Sequence, residues 1–178
     1  FSDLDPFLND SNVQLKWIGP NQSIGNPDVV IIPGSKQTIK DLESLNKTGM
    51  SNQIKDYAKS GGNIFGICGG LQMLGKSLED PNNLESISEL STFSNMGMNL
   101  LPIKTTFGER KHTSQREERV VWPNPQNIKG FEMHYGESDL SILPVKSVQI
   151  KKKINWIFYP IFFNVRPSTS ASIGFTID

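Results

Sequence analysis

The stretch that decides the fold is residues 63–78, which read NIFGICGGLQMLGKSL. Residues 63–67 form the short, mostly apolar run that is typical of a buried strand, and three leucines then recur at the spacing of one helix face. The change from strand to helix falls at Cys68, which glycines flank closely. Ligand sites of open α/β sheets lie beyond the carboxyl ends of the strands, so this turn is the first place to look for function.

The residues upstream repeat the alternation of strand and helix. Val29–Ile32 is continuously apolar, which predicts a strand covered on both faces, and Pro33-Gly34 ends it. Ser35 is then placed to cap a helix that extends to Leu45. Alternating strands and helices with short connections predict an α/β fold with a parallel, doubly wound sheet. The segments PGSK and GICGG would share one edge of that sheet.

Other elements follow from local patterns. Val13–Ile18 predicts a short strand, and a helix around Gln53–Ser60 should end at a left-handed Gly61-Gly62. From Pro81 onward the chain is richer in strand signals, while the polar stretch of residues 108–119 predicts an exposed loop. The strands predicted in this half are Leu100–Phe107, Val120–Trp122 and Lys129–Tyr135.

Composition excludes several classes of function. The 178 residues suit one α/β domain, and 18 basic side chains balance 18 acidic ones, so charge favours neither nucleic acid nor an anionic membrane as a partner. The single cysteine excludes an internal disulfide and a multi-cysteine metal site, and it fits a reducing compartment such as the cytoplasm. No apolar run approaches the roughly 20 residues that a transmembrane helix needs. We therefore expect a soluble, unexported protein without a bound metal.

The pattern G-x-C-x-G at residues 66–70 points to a nucleophile on a sharp turn. The start of the following helix would favour a thiolate at Cys68, and the N–H of Gly69 would face an oxyanion formed on the attacked carbonyl. Gln72 lies one helical turn further on, so its amide could hydrogen-bond a polar substrate. Each residue also has a simpler interpretation, because a lone cysteine is often a small buried hydrophobic residue and a helix glutamine is often solvated.

The segment GICGGLQMLG resembles the nucleophile elbow of class I glutamine amidotransferases, in the variant of the cobyric acid synthase and cobyrinate diamide synthase group. PGSKQTIKDL is similar to the P-G-S-K-x-T-x-x-D-L segment of that group, NMGMNLLPIKTTF to its G-L-G-L-L-P-I-x-T-x-F, and KGFEMHYG to its G-Y-E-I-H-x-G. FSDLDPF resembles the end of its S-N-F-T-D-x-D-P-L segment, so the resemblance covers residues 1–137.

The resemblance implies glutamine hydrolysis through a glutamyl thioester, with Cys68 as the nucleophile. Backbone N–H groups near Gly34 and Gly69 would form the oxyanion hole, and Gln72 would help to hold glutamine. Ammonia would pass to a synthetase domain, absent from this chain, that amidates adenosylcobyrinic acid a,c-diamide during cobalamin biosynthesis. ATP and Mg²⁺ belong to that domain, so the resemblance implies neither cofactor here.

Two departures from the group predict impaired catalysis. The strand expected ahead of FSDLDPF is absent, and the late catalytic histidine, which lies in a G-T-Y-L-H-G segment, has no counterpart after Gly136. We therefore expect an incomplete amidotransferase domain at residues 1–150, truncated at its N-terminus, and a divergent tail at residues 151–178. His134, inside GFEMHYG, is the tempting substitute base, but its place in the motif predicts a structural or substrate-positioning role.

Two alternatives to an active amidotransferase of this group stay open. The chain could be a noncatalytic remnant or domain that keeps the fold and binds a synthetase partner. It could also be the amidotransferase subunit that amidates cell-wall precursors, which shares the elbow and a late G-F-E-x-H, although GSKQTIKDL and GMNLLPIKTTF fit the cobyric acid group better.

Overall fold

The computed structural model describes residues 4–85, 94–120 and 126–139, together with the strands at residues 161–164 and 172–175. The helices in chain order are α1 (Asp5–Leu8), α2 (Thr38–Lys47), α3 (Met50–Lys59) and α4 (Gly69–Leu74). The strands are β1 (Val29–Ile32), β2 (Asn63–Gly66), β3 (Ser77–Glu79), β4 (Ser94–Met96), β5 (Lys104–Val120), β6 (Gln126–Asp139), β7 (Ile161–Asn164) and β8 (Ser172–Phe175).

Strands β1 and β2 pair in parallel, as the two apolar runs predict. Their register places Val29 opposite Asn63 and Ile32 opposite Gly66. One further hydrogen bond, from the Ile67 N–H to the Ile32 carbonyl oxygen at 2.9 Å, extends the pairing to the residue before Cys68. The two loops that follow these strands therefore leave the sheet at the same edge.

The second half of the described chain is richer in strands, as its sequence predicts. Here β4, β3, β5 and β6 form a mixed sheet in that order, in which β3 and β5 are parallel and the other neighbours are antiparallel. The strand predicted at Lys129–Tyr135 is confirmed within β6. The strand predicted at Leu100–Phe107 begins too early, because β5 begins only at Lys104 and then continues to Val120. Of Val120–Trp122, Val120 ends β5 and the other two residues lie outside the described residues.

The three predicted helices form with shifted bounds. The helix after Cys68 ends at Leu74, so the prediction of Leu78 on its face is wrong, and Leu78 lies in β3. Helix α2 begins at Thr38 rather than beside Ser35, and the N-cap position is held by Gln37. The Ser35 hydroxyl instead accepts the Gln37 N–H at 3.0 Å, so it stabilises the turn before the helix. Helix α3 begins at Met50, earlier than predicted, and the left-handed stop is confirmed by Gly61 with φ +94°.

The strand predicted at Val13–Ile18 is wrong, because these residues are irregular. Leu15 packs on a small cluster around Leu4 and Ile67, whereas Trp17 is 54% exposed. The apolar side chains thus anchor the segment without strand pairing. Pairing depends on a neighbouring backbone, which a local pattern does not include.

The exposed loop predicted at residues 108–119 is also wrong. The stretch belongs to β5, and it pairs with β6 in an antiparallel ladder from His112 to Val120, after a shift of register between Phe107 and His112. Backbone hydrogen bonds hold such a ribbon whatever its side chains are. Because residues 108–119 are polar apart from Gly108, the alternation of apolar and polar residues that usually reveals a strand is missing from this stretch.

The main hydrophobic core is shared by the helices and the two central sheets. Ile39 and Leu42 of α2 are each 1% exposed, and burial of such a side chain stabilises the fold by about 1.5–3 kcal/mol. The other large, fully buried apolar side chains are Ile64, Leu74, Leu78, Met98 and Ile103. These contacts fix α2 and α4, the two helices that begin next to the loops at the edge of β1 and β2.

The C-terminal part is described only at β7 and β8, which pair with each other in an antiparallel fashion. Strand β7 lies close to β2 and α4. The predicted boundary at residue 150 stays a prediction. No helix among the described residues has the length and apolar character needed to cross a membrane.

Candidate active site

Cys68 occupies the sharp turn that the sequence predicts. Strand β2 ends at Gly66, helix α4 begins at Gly69, and Cys68 between them has φ 48° and ψ −111°. A positive φ is uncommon for a residue with a side chain and costs about 1–3 kcal/mol, so the surrounding contacts must enforce it. The side chain is partly exposed and its sulfur forms no disulfide.

The two glycines of G-x-C-x-G are required by close packing. A Cβ atom on Gly66 would lie 2.6 Å from the Leu71 backbone nitrogen, and one on Gly70 would lie 2.0 Å from the carbonyl oxygen of Ile32. Neither contact is possible for a larger residue unless the backbone moves. These glycines therefore let the chain reverse directly against β1 and so hold Cys68 in its strained conformation.

The loop Pro33-Gly34-Ser35 lies beside Cys68, as predicted. A Cβ atom on Gly34 would be 3.7 Å from the Cβ of Cys68, and one on Gly69 would be 3.0 Å from the Ser35 backbone nitrogen. Gly34 is itself exposed. Backbone groups of two loops thus converge beside Cys68.

Hydrogen bonds hold the loop in this position. The Ser35 hydroxyl donates to Asp41 Oδ2 at 2.5 Å, and the Ser35 Oγ atom accepts the Gln37 N–H at 3.0 Å. Thr38, the first residue of α2, is 2% exposed, and its Oγ1 would lie 3.0 Å from a Cβ atom on Gly69. The loop is therefore tied to the first turn of α2 and packed against the start of α4.

Gln72 is buried, so the interpretation of a solvated helix residue is excluded. Its side chain is 4% exposed and its Nε2 lies only 2.8 Å from where a Cβ atom on Gly136 would be. Thr105 and Phe107 close the same space from β5, with atoms 2.9 Å and 3.1 Å from that position. The amide of Gln72 is thus held between α4 and the backbone of β6.

A turn after β3 packs against the start of α2. The buried Asp80 accepts the N–H groups of Leu84 and Glu85, each at 2.8 Å, and so orders the turn. Burial raises the pKa of the Glu85 carboxyl, although the backbone N–H groups of Thr38 and Ile39 face it and lower the pKa in part. Nearby Asp80 and Asp41 add to the increase.

His112 and His134 face each other across the β5–β6 ribbon. They are paired in the ladder, and their ring centroids are 5.2 Å apart. The Nδ1 of His134 lies 2.9 Å from the carbonyl oxygen of Gly136, to which it can donate. This bond fixes the backbone beside Gln72, in accord with a structural or positioning role for His134, while its role in the chemistry stays a prediction.

Residues 70–77, GLQMLGKS, have the letters of the phosphate-loop pattern G-x-x-x-x-G-K-[ST]. That pattern binds phosphate as a loop between a strand and a helix. Here the order is reversed, because residues 70–74 lie in α4 and Ser77 begins β3. The Lys76 N–H is also engaged, donating to the Ile103 carbonyl oxygen at 2.7 Å. This stretch therefore does not have the geometry of a phosphate loop.

Sequence reasoning about the site missed four residues: Thr38, Asp41, Glu85 and Gly136. Three of them lie inside motifs that the sequence displays, Thr38 and Asp41 in PGSKQTIKDL and Gly136 in KGFEMHYG. The contacts of Thr38 with Gly69 and of Gly136 with Gln72 join segments far apart in the chain, whereas Asp41 contacts Ser35 six residues earlier. Glu85 had no such signal, since it follows a turn of ordinary composition. No group of three or more potential metal ligands occurs among the described residues.

An α/β domain with a cysteine on a strained strand-to-helix turn, next to a second glycine-containing loop, defines the class I glutamine amidotransferase type. Residues 1–156 match the family model described as the CobB/CobQ-like glutamine amidotransferase domain. The chain belongs to this family.

The curated relatives agree with this assignment. The chain is 80% identical over 140 residues to the cobyric acid synthase of Prochlorococcus marinus (strain NATL1A), covering 79% of this chain and 28% of that protein. It is 49% identical over 152 residues to the cobyric acid synthase of strain MIT 9313, and the match covers 82% of this chain and 30% of that protein. It is 46% identical over 149 residues to the cobyric acid synthase of Synechococcus sp. (strain CC9605), and the match covers 83% of this chain and 30% of that protein. The chain thus spans less than a third of the length of these relatives.

Proposed function

We propose that this chain is the glutaminase part of a cobyric acid synthase, which releases ammonia for the ATP-dependent amidation of adenosylcobyrinic acid a,c-diamide in cobalamin biosynthesis. The observation that carries the proposal is the position of Cys68, at φ 48° and beside Gly34, in a chain of this family. The relatives at up to about 80% identity are named cobyric acid synthase, which favours this group over the amidotransferases of cell-wall precursors.

The proposed reaction uses Cys68 as a nucleophile. Its thiolate attacks the side-chain amide carbon of glutamine, and the carbonyl oxygen becomes an oxyanion. The amide nitrogen takes up the proton that the thiol released, the C–N bond breaks, and ammonia leaves behind a glutamyl thioester. Water then hydrolyses the thioester to glutamate and restores the thiol. We assign the oxyanion hole to backbone N–H groups at Gly34 and Gly69, because the Gly70 N–H is already used, donating to the Ile67 carbonyl oxygen at 2.8 Å.

Gln72 and His134 have supporting roles in this proposal. The buried amide of Gln72, one helical turn after Cys68, holds glutamine on the α4 side of the site. His134 fixes the carbonyl of Gly136 and so supports Gln72 indirectly. We do not assign it the general base. Without that base the hydrolysis should be about 10²–10⁴-fold slower than in a complete relative.

The proposed amidation needs ATP, Mg²⁺ and a corrinoid in addition to glutamine. We propose that a synthetase domain binds ATP, Mg²⁺ and the corrinoid, and receives ammonia from this chain. The reversed order of helix and strand at residues 70–77 supports the placement of ATP elsewhere. A chain with a single cysteine fits a reducing compartment, for which we propose the cytoplasm.

The test is ammonia release from L-glutamine by the purified chain, together with trapping of the thioester in acid and mapping by mass spectrometry. We expect slow release that is absent with L-asparagine, and a glutamyl group on Cys68. Cys68→Ala should abolish both signals while circular dichroism confirms the fold. Release that survives this substitution would contradict the proposal.

A noncatalytic, glutamine-binding domain is the second candidate. It is favoured by one observation, that both histidines of the chain precede Gly136 while the late histidine segment of the group has no counterpart. The same experiment separates the two. Saturable binding of glutamine without a thioester, and without ammonia release above that of Cys68→Ala, would favour the noncatalytic domain.

A further inference from the structure

The loop beside Cys68 owes its position to one side chain outside the loop. Gly34 has no side chain. Ser35 is the next residue of the loop, and its hydroxyl can bind the loop to a neighbouring element. The Ser35 hydroxyl donates to Asp41 Oδ2 at 2.5 Å, which is short, as expected for a hydroxyl bound to an ionised carboxylate. Its oxygen also accepts the Gln37 N–H at 3.0 Å, so the hydroxyl is bonded both to the first turn of α2 and to the N-cap residue before that helix.

Helix α2 is a firm support for that anchor. Asp41 lies in its first turn, while Ile39 and Leu42 on the inner face are each 1% exposed. The helix therefore cannot shift without opening the core. Asp41 itself is exposed, so the carboxylate contributes little to burial and its main contact in the structure is with Ser35.

The anchored loop packs directly on the nucleophile turn. The backbone nitrogen of Ser35 would lie 3.0 Å from a Cβ atom on Gly69, and its Cβ would lie 3.1 Å from the same point. Gly34 approaches Cys68 at 3.7 Å by the same measure. A rotation of Ser35 away from Asp41 would thus displace the loop backbone that packs against Gly69 and Cys68.

We propose that Asp41 is a positioning residue that holds the oxyanion loop, residues 33–35, through the hydroxyl of Ser35. This inference rests on the proposed glutaminase function, which it deepens. Asp41 does not touch the substrate. It keeps the loop N–H groups where the oxyanion forms, and misplacement of such a group by about 1 Å can slow a reaction about 100-fold.

The first experiment measures alkylation of Cys68 by an electrophilic diazoketone analogue of L-glutamine, whose carbonyl develops negative charge on attack. Asp41→Ala should lower the maximal alkylation rate about 10- to 100-fold and leave the analogue concentration at half-maximal rate nearly unchanged. Asp41→Asn, which keeps an acceptor for the hydroxyl, should restore most of the rate. Alkylation by iodoacetamide needs no oxyanion hole and should stay the same.

A matched control comes from the same helix. Glu43 of α2 forms a surface ion pair with Lys47 at 3.6 Å and has no contact with the loop in the structure. Glu43→Ala removes an equivalent carboxylate and should leave both alkylation rates unchanged. In the double variant Ser35→Ala/Asp41→Ala, the losses should not add, because both changes break one hydrogen bond.

A second measurement does not depend on chemistry at Cys68. Hydrogen exchange of the Gln37 amide, which donates to Ser35, should become faster in Asp41→Ala and not in Glu43→Ala. Unchanged exchange, or equal alkylation of Asp41→Ala and the unmodified chain, would overturn the inference about Asp41. An unmodified chain that reacts with iodoacetamide but never with the glutamine analogue would instead overturn the proposed glutaminase function, and with it the catalytic meaning of the anchor.

Discussion

Glycine contacts around Cys68 stabilise a backbone conformation that an isolated peptide would avoid. The positive φ of Cys68 places strain of about 1–3 kcal/mol on the turn. Because Gly66 and Gly70 lack a Cβ atom, the backbone around Cys68 packs directly against Leu71 and Ile32. This packing restricts the conformation of the turn. The strain is thus retained by packing on both sides, which is how a reactive side chain can be held at the edge of a sheet.

Gly70→Ala tests this packing. The added Cβ would meet the carbonyl oxygen of Ile32 at 2.0 Å, so we expect a loss of about 3 kcal/mol in the free energy of unfolding. Urea denaturation followed by circular dichroism measures it. Gly19→Ala is the matched control, because its nearest contact would be 3.7 Å from a flexible side chain, and it should change the stability by less than about 0.5 kcal/mol. Equal effects of the two substitutions would contradict the account.

Glu85 predicts a dependence of stability on pH. Its pKa is raised above the ordinary value of 4.5, chiefly because burial disfavours the charged form, so the folded chain binds this proton more tightly than the unfolded chain does. The contribution of Glu85 therefore lowers the free energy of unfolding as pH rises from about 4.5 through the raised folded pKa. Below that window the contribution is constant.

The substitution Glu85→Gln isolates this effect, since glutamine has nearly the same shape and no charge. We expect the stability of the variant relative to the unmodified chain to increase with pH across the window and then to level off. Denaturant titrations at a series of pH values measure the difference. Glu43→Gln, at a partly exposed position of α2, serves as the control. A difference for Glu85→Gln that falls with pH would show that the N–H groups of Thr38 and Ile39 outweigh burial.

Among the larger elements, the β5–β6 ribbon takes part in the site through one narrow contact. Gly136 lets β6 lie against the amide of Gln72, while Thr105 and Phe107 of β5 close the space around it. The bond between His134 and the Gly136 carbonyl oxygen holds the strand there. The ribbon therefore contacts helix α4 at Gln72, whereas the loop of residues 33–35 contacts that helix at Gly69.

Gly136→Ala tests the contact between ribbon and helix. A Cβ atom would lie 2.8 Å from Gln72 Nε2, so we expect a loss of about 1–3 kcal/mol in the free energy of unfolding and weaker glutamine binding. Gly108→Ala on the same ribbon would meet only the Tyr135 carbonyl oxygen at 3.7 Å and should be nearly neutral. Calorimetry of glutamine binding and thermal unfolding provide the two measurements. Identical behaviour of the two variants would exclude a role for the contact.

Elements that depend on local sterics could be predicted from sequence, and elements that depend on distant partners could not. The turn at Cys68 follows from neighbouring glycines, and the parallel strands follow from two apolar runs. Val13–Ile18 resembles a strand locally but has no strand pairing, whereas the polar residues 108–119 pair with β6 without any apolar pattern. The Asp41 contact likewise required the fold, because a hydrogen bond across a loop leaves no periodic signal.

Considered as a whole, the chain combines a complete nucleophile turn with only part of the length of its relatives. The family match covers residues 1–156, and the cobyric acid synthase of strain NATL1A is about three and a half times as long as the matched region. The oxyanion loop, the buried Gln72 and Cys68 all lie within the matched residues. The capacity to recognise glutamine should therefore belong to this chain even where the rate of turnover is low.

If Cys68 is a glutamine-directed nucleophile, its alkylation by a glutamine analogue should depend on the stereochemistry of that analogue. The purified chain is incubated with the L or the D form of the diazoketone analogue of glutamine, with or without excess L-glutamine, and the adduct is mapped by mass spectrometry. We expect slow alkylation of Cys68 by the L form alone. Excess L-glutamine should suppress this alkylation, and Gly70→Ala should abolish it. Equal alkylation by both forms, unaffected by L-glutamine, would show that the thiol is merely exposed and would contradict the account.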